Sequence, residues 1–520
     1  MSASEADSWE ALLAELERRR AFSLTGGGAD RVEREHGRGR LVARERIDLL
    51  ADAGSFRELG GLATTPAAGG EQLPSSLVCG ICRIEGRPVA VAAEDFTVSG
   101  GGVGVHLARL TGSWGGFIEE LAYEYRIPLV ILLNGVGGSI VVQEVKGYPT
   151  LVSTMTLFPM LELLSRVPVV AAVMGPTGGS SAARATLSHF SLIKRPTGCL
   201  FVAGPPVVRQ ALGTTIDKMD LGGADVHLRS GVIDNGGDSD ADVCRQIRQF
   251  LSYLPRNVWE PALRVESGDP ADRPIDEVLE IVSPNGRRPY DCHALIRAIV
   301  DRDTFFEVAP EYGPSLRVGL ARIDGHAVGI LASDSRHLAG ALDGPSSDKQ
   351  ARFAELCDTF HLPIVYLADV PGFMVGPDAE RTGVLRRGTR AVAAIQRASV
   401  PVFSIQVRRA YGMAAQGTGS TNRLSLRIAW PSGEWGDMPV SGGIEAEFRP
   451  LIESAPDPEA KRQELLEQFA YQTSIWRTVE KFGVEEMIDP RDTRKLLAEL
   501  LALAAGALTP GPKAGPQVRP

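Results

Sequence analysis

Glu85-Gly-Arg-Pro-Val-Ala-Val-Ala-Ala-Glu-Asp95 returns later in the chain as Asp324-Gly-His-Ala-Val-Gly-Ile-Leu-Ala-Ser-Asp334. Two further segments recur in the same order, about 235 residues on in each case. Ile127-Pro-Leu-Val-Ile-Leu-Leu-Asn134 returns as Leu362-Pro-Ile-Val-Tyr-Leu-Ala-Asp369, and Val167-Pro-Val-Val-Ala-Ala-Val173 as Val400-Pro-Val-Phe-Ser-Ile-Gln406. Each is a short, β-branched apolar run that opens on Pro or follows a Gly turn, the pattern of a strand buried on both faces. The spacing predicts two copies of one domain.

Between the runs the period turns helical. Phe117, Ile118, Leu121, Ala122 and Tyr125 share one helix face, and so do Phe353, Leu356, Cys357 and Phe360. Strand and helix alternating through short connections predict crossover units and mostly parallel strands, an α/β fold. The expected order is an N-terminal helical segment (1–29), a first domain (30–255), a linker rich in Pro, Asp and Arg (256–289), a second domain (290–489), and a C-terminal helix with a disordered Pro/Gly-rich tail (490–520).

Composition narrows the function. The 520 residues are 44% hydrophobic and 23% charged, as in globular proteins, and the net charge of −9 argues against a nucleic-acid partner. No run approaches the ~20 apolar residues of a membrane span, and residues 1–10 lack the apolar core of a secretory signal. The six scattered Cys do not form a disulfide framework. A large, soluble, cytoplasmic α/β protein without a membrane partner is the expectation.

In parallel α/β folds ligands bind beyond the carboxyl ends of the strands, where loops enter helices. Four such loops are rich in small residues: Gly135-Val-Gly-Gly-Ser139, Gly175-Pro-Thr-Gly-Gly-Ser-Ser181, Val370-Pro-Gly-Phe373 and Tyr411-Gly-Met-Ala-Ala415. Small residues opening a helix leave backbone N–H groups free to hold an oxyanion without any ionisable side chain. Each loop taken singly reads equally well as a plain turn. Cys79-Gly-Ile-Cys82 lacks a second pair of the same spacing, so no metal is expected. His106, His227 and His337 lie near Gly-rich segments and read as structural or exposed. The Arg-rich stretch 31–46 reads as a solvated helix face, or as a receiver for the phosphates of a carrier such as coenzyme A.

Further motifs are Arg40-Leu-Val-Ala-Arg-Glu-Arg-Ile47, Met174-Gly-Pro-Thr-Gly-Gly179, Ala368-Asp-Val-Pro-Gly-Phe373, Arg386-Arg-Gly388 and Ala429-Trp-Pro431. With them the chain resembles, over nearly its whole length, the carboxyltransferase (β) subunits of biotin-dependent acyl-CoA carboxylases of the propionyl-CoA carboxylase type. The resemblance implies two tandem crotonase-like β–β–α superhelix domains. It also implies a homo-hexamer of β subunits, an acyl-CoA substrate bound mainly by the first domain, and carboxybiotin bound mainly by the second. The active site would lie between the first domain of one subunit and the second domain of a neighbour. The thioester oxyanion hole maps onto Gly179 and Ser180, and the hole for the biotin ureido oxygen onto Met413 and Ala414. Gly137, Gly138, Ser139, Gly178 and Gln416 map onto the substrate side, and Gly372, Phe373 and Gly412 onto the biotin side.

In that family the biotin anion left after loss of CO2 takes the α-proton of the thioester, and the enolate attacks the CO2. No Ala-Met-Lys-Met-like biotinylation site occurs here, so biotin is expected on a separate α chain carrying biotin carboxylase and carrier domains. The departures are Ser180 for the second Gly of the first hole, Met413 in the second, Gln416 at the substrate-selecting position, and Ser139-Ile140 after Gly138. Met413 is expected to narrow the biotin approach and to resist the backbone angles Gly adopts freely. These departures leave open a carboxyacyl-CoA decarboxylase or transcarboxylase of the same fold, and a non-catalytic β subunit in a mixed complex.

Overall fold

The computed structural model describes residues 8–66, 71–101, 116–137, 147–148, 158–470 and 474–513. The chain divides into two compact units that part between Glu260 and Pro261. In the first, β1 (Arg57–Leu59), β2 (Leu77–Ile84), β3 (Arg87–Glu94), β4 (Leu129–Leu133), β5 (Val169–Val173), β6 (Phe190–Lys194) and β7 (Asn235–Gly237) form one sheet in that order. The first three strands pair antiparallel and the remainder parallel. Every residue of β4 and β5 is buried, as their unbroken apolar runs require. Helix Phe117–Tyr125 lays Ile118, Leu121 and Ala122 on this sheet, while Tyr125, in its last turn, points to solvent.

The second unit repeats the plan. Its strands are β8 (Phe306–Val308), β9 (Leu316–Ile323), β10 (His326–Ser333), β11 (Ile364–Val370), β12 (Val402–Tyr411), β13 (Leu426–Ala429), β14 (Glu434–Gly436) and β15 (Glu486–Met487). The order is β8-β9-β10-β11-β12-β13-β15, with β14 paired to the far end of β12. The antiparallel hairpins β2–β3 and β9–β10 turn on Glu85-Gly86 and Asp324-Gly325, with positive φ at both residues in each case, the two-residue turn that matches strand twist.

Of residues 256–289, expected as a linker, 256–260 fall in the first unit and 261–289 carry Ile275, Val278 and Val282 into the core of the second. Helix Thr493–Ala505, set apart above as a C-terminal segment, adds Leu497, Ala498, Leu501 and Ala504 to the same core. It follows β15 as helix Asp240–Tyr253 follows β7, so it completes the second copy. Trp430 Nε1 donates to Thr493 Oγ1 at 2.9 Å and fixes its start. No helix among the described residues is long and apolar enough to cross a membrane. The six Cys are all free and buried, and burial pushes the thiols of Cys79 and Cys82 up to about 12.

Candidate functional site

In the first unit three loops converge beyond the ends of β3, β4 and β5. The turn after β3 comes so close to the β4 loop that a Cβ on Gly101 would lie 2.5 Å from the Asn134 carbonyl oxygen. Gly178 N–H donates to the Gly135 carbonyl at 2.9 Å. A Cβ on Gly137 would lie 2.6 Å from the Gly178 carbonyl oxygen, so side chains are excluded where the two loops touch. Gly138 and Ser139 lie outside the described residues, as do Ile140 and His106.

Gly179 turns the chain with φ 62° and ψ −130°, a left-handed conformation that glycine takes without strain, and helix Ser180–Thr186 starts behind it. Among the described residues nothing accepts from the N–H of Gly179 or Ser180. The arrangement is that of two adjacent N–H donors at the start of a helix, without an acceptor among the described residues.

The turn stands on buried polar groups. Ser181 Oγ donates to Glu94 Oε1 at 2.5 Å, and Asn134 N–H donates to Glu94 Oε2 at 2.7 Å. Burial pushes the Glu94 carboxyl above the ordinary carboxylate range, opposed by those two bonds and by the charge of Arg184. Arg184 is itself paired with Glu119 at 2.5 Å, both side chains buried.

The second unit builds an equivalent turn. Gly412 has φ 60° and opens helix Gly412–Ala415, and nothing among the described residues accepts from the N–H of Met413 or Ala414. Met413 is not among the residues of positive φ, contrary to the strain expected for a side chain there. Gly412 alone takes the left-handed angle, and Met413 is an ordinary helical residue with its side chain 38% exposed. Ala414 is buried, whereas Gln416 is exposed in the next 3₁₀ turn.

Beneath this turn Asp369, at the end of β11 and fully buried, accepts from Arg408 Nη2 at 2.6 Å and from Arg409 Nε at 2.8 Å. Arg408 lies 4.7 Å over the Tyr290 ring and donates to the carbonyls of Asn285 and Arg288. Arg409 reaches the Ala339 carbonyl at 2.9 Å. Gly372 has open space where a Cβ would stand, and the Phe373 ring packs on Gly388, where a Cβ would come within 2.6 Å. That contact explains why Asp-Val-Pro-Gly-Phe and Arg-Arg-Gly occur together.

Sequence reasoning found the glycine turns and missed their supports, Glu94, Ser181, Asp369, Arg408 and Arg409. The one available signal was the position of Glu94 and Asp369 at strand ends in the repeat.

In the Arg-rich stretch 31–46, Arg31, Arg34 and Arg38 are exposed, while the other arginines are engaged within the fold. Arg40 forms a buried two-pronged pair with Glu35, Arg46 is buried against Asp240, and Arg44 pairs with Glu58. His227 meets the Leu200 carbonyl at 2.7 Å, and His337 lies against Asp334. The described residues hold no group of three or more His, Cys, Asp or Glu able to bind a metal ion.

Comparison with known proteins agrees with this architecture. A propionyl-CoA carboxylase carboxyltransferase subunit of Haloferax mediterranei is 35% identical over 500 residues, covering 94% of this chain and 95% of its own. The methylmalonyl-CoA decarboxylase subunit alpha of Veillonella parvula is 32% identical over 494 residues, covering 92% and 93%. Transcarboxylase 12S, solved as a hexamer with methylmalonyl-coenzyme A bound, is similar with a TM-score of 0.87 and 30% identity over 98% of both chains. The two units are thus the tandem crotonase-like domains expected from the sequence. The carboxyl transferase domain family matches residues 34–512, and the chain belongs to that family.

Proposed function

We propose that this chain is the carboxyltransferase subunit that moves a carboxyl group from carboxybiotin, borne on a separate carrier chain, to the α-carbon of an acyl-CoA thioester. The observation that carries this reading is the pair of matching turns, Gly179-Ser180 and Gly412-Met413-Ala414, each opening on N–H donors without an acceptor among the described residues. Carboxybiotin supplies the carboxyl group, and the chemistry asks the protein for donors where negative charge develops rather than for a side-chain base. Gly179 and Ser180 N–H would hold the thioester oxygen as it becomes an enolate. Met413 and Ala414 N–H would hold the ureido oxygen.

Gly137 and Gly178, packed against one another, keep side chains away from the thioester, and Gly138 and Ser139 follow Gly137 in the sequence. Gly372, Phe373 and Gly412 shape the biotin side, and exposed Gln416 stands beside it as the residue that selects the acyl group. The reading requires a biotin carboxylase and carrier chain as partner. It favours six copies of this chain, since transcarboxylase 12S assembles as a hexamer.

Ser180→Pro tests it. Ser180 is the first residue of its helix, where Pro is tolerated, so the exchange removes one donor and spares the helix. The same exchange at Gly179 would break a left-handed turn. Loss of one such donor is expected to lower kcat ~100–1000-fold in a folded variant. Unchanged turnover would overturn the assignment of the first hole.

A further inference from the structure

Glu94 is a carboxyl group kept wholly out of water, with no cation touching it among the described residues. A buried carboxyl without an ion partner is costly, and an apolar residue would fill the end of β3 at less expense. Its two hydrogen bonds have different destinations. Oε2 takes the N–H of Asn134, at the end of β4. Oε1 takes the hydroxyl of Ser181, next in the chain to the donors Gly179 and Ser180. The space is tailored to this group: a Cβ on Gly135 would lie 2.8 Å from Glu94 Oε2.

The second unit offers an internal control. At the position equivalent to Glu94 it has Ser333, whose Oγ takes the N–H of Asp369 at 3.1 Å, so the backbone half of the bridge is kept. At the position equivalent to Ser181 it has Ala414, which has no hydroxyl to be held. A carboxyl that holds a hydroxyl of the donor turn is therefore found in the first unit, whereas the second supports its turn from Asp369 through Arg408 and Arg409.

We infer that Glu94 is a positioning residue for the carboxyl-transfer step, tying Ser181 to the end of β4 and so fixing where the Gly179 and Ser180 N–H groups point. The inference rests on the reading of that pair as the thioester hole. A donor moved by about 1 Å forfeits much of its transition-state stabilisation, on the order of 100-fold in rate.

The test uses the full chain with its biotin-bearing partner, or with free biotin, and compares Glu94→Ala, Glu94→Gln and Ser181→Ala by steady-state kinetics. A Gln at 94 preserves both links, since its oxygen accepts from Asn134 N–H and its amide donates to Ser181 Oγ. Glu94→Ala and Ser181→Ala are expected to lose about 10- to 100-fold in kcat, with KM for biotin unchanged. Glu94→Gln is expected to stay within about threefold of the parent, and Glu94→Ala/Ser181→Ala to be no worse than either single change.

Unaltered kcat in Ser181→Ala, or Glu94→Gln as poor as Glu94→Ala, would overturn the inference. Should Glu94→Ala fail to fold, the Ser181→Ala and Glu94→Gln pair decides alone. Ser180→Pro separates the two layers. If it abolishes turnover while the Glu94 and Ser181 variants are silent, only the inference falls; if it too is silent, the reading beneath falls.

Discussion

Met413 shows how a residue read as an obstacle finds an ordinary place. The left-handed angle belongs to Gly412, so the Met side chain adds bulk at the mouth of the turn without backbone strain. If that bulk crowds the biotin approach, Met413→Gly should lower KM for biotin by roughly 10-fold, the scale of one side-chain clash in a pocket, with KM for acyl-CoA unmoved. An unchanged biotin KM would remove the gate.

Lys349 makes a second residue-scale case. Its ammonium is buried and donates to the Ala309 carbonyl at 3.2 Å, and burial with Arg317 nearby lowers its pKa to about 7. In the unfolded chain a Lys titrates near ~10.4. Between those values the unfolded state holds a proton the native state lacks, so this group makes stability rise with pH from about 7 toward ~10. Below 7 both states are charged and the full burial cost stands. Lys349→Met is therefore expected to raise the Tm most below pH 7, with an advantage that shrinks toward pH ~10. A pH-independent difference in thermal unfolding would contradict this.

At the scale of elements, the repeat reaches further than the three segments that reveal it. Asp52 follows helix Ala43–Leu50 and accepts from the N–H groups of the Glu85-Gly86 turn, and Asp301 follows helix Cys292–Ile299 and does the same for Asp324-Gly325. Arg248 reaches the Leu50 carbonyl and Asp52, while Arg494 reaches the Ile299 carbonyl and Asp301. Each arginine thus clamps the final helix of its copy to the hairpin.

The environments differ. Arg248 and Asp52 are both about a third exposed, whereas Arg494 is fully buried and also serves the Pro270 carbonyl. Arg248→Met should cost under about 1 kcal/mol, as exposed pairs do. Arg494→Met should cost about 3–5 kcal/mol, because it leaves Asp301 and several carbonyls buried without their donor. Denaturant titration checks both, and equal losses would contradict the contrast. Ile47-Asp-Leu-Leu-Ala-Asp52 and Ile296-Arg-Ala-Ile-Val-Asp301 carry this match in plain sight, but the shared residues are too few to stand out without the hairpins they support.

Over the whole molecule, legibility followed burial. β4, β5 and β11 are covered on both faces, so their apolar runs announce them and the repeat follows. Residues 261–289 hide their anchors: Ile275, Val278 and Val282 sit at helical spacing inside a stretch of Pro, Asp and Arg that composition alone reads as linker. The glycine turns were legible because glycine is what a left-handed angle requires, as at Gly179 and Gly412. Their supports were not, because Glu94 meets Ser181, and Asp369 meets Arg408, only after parallel crossovers bring distant strand ends together.

The two donor turns are held to serve a thioester and a biotin ureido group, and one measurement addresses that most directly. The purified chain would be given malonyl-, methylmalonyl- and longer carboxyacyl-CoA thioesters, with and without free biotin, and the acyl-CoA formed would be followed by chromatography. Decarboxylation of at least one thioester is expected to require added biotin and to be lost in Ser180→Pro. Decarboxylation indifferent to biotin, or none with any thioester when biotin and the carrier partner are both present, would contradict the assignment of both turns.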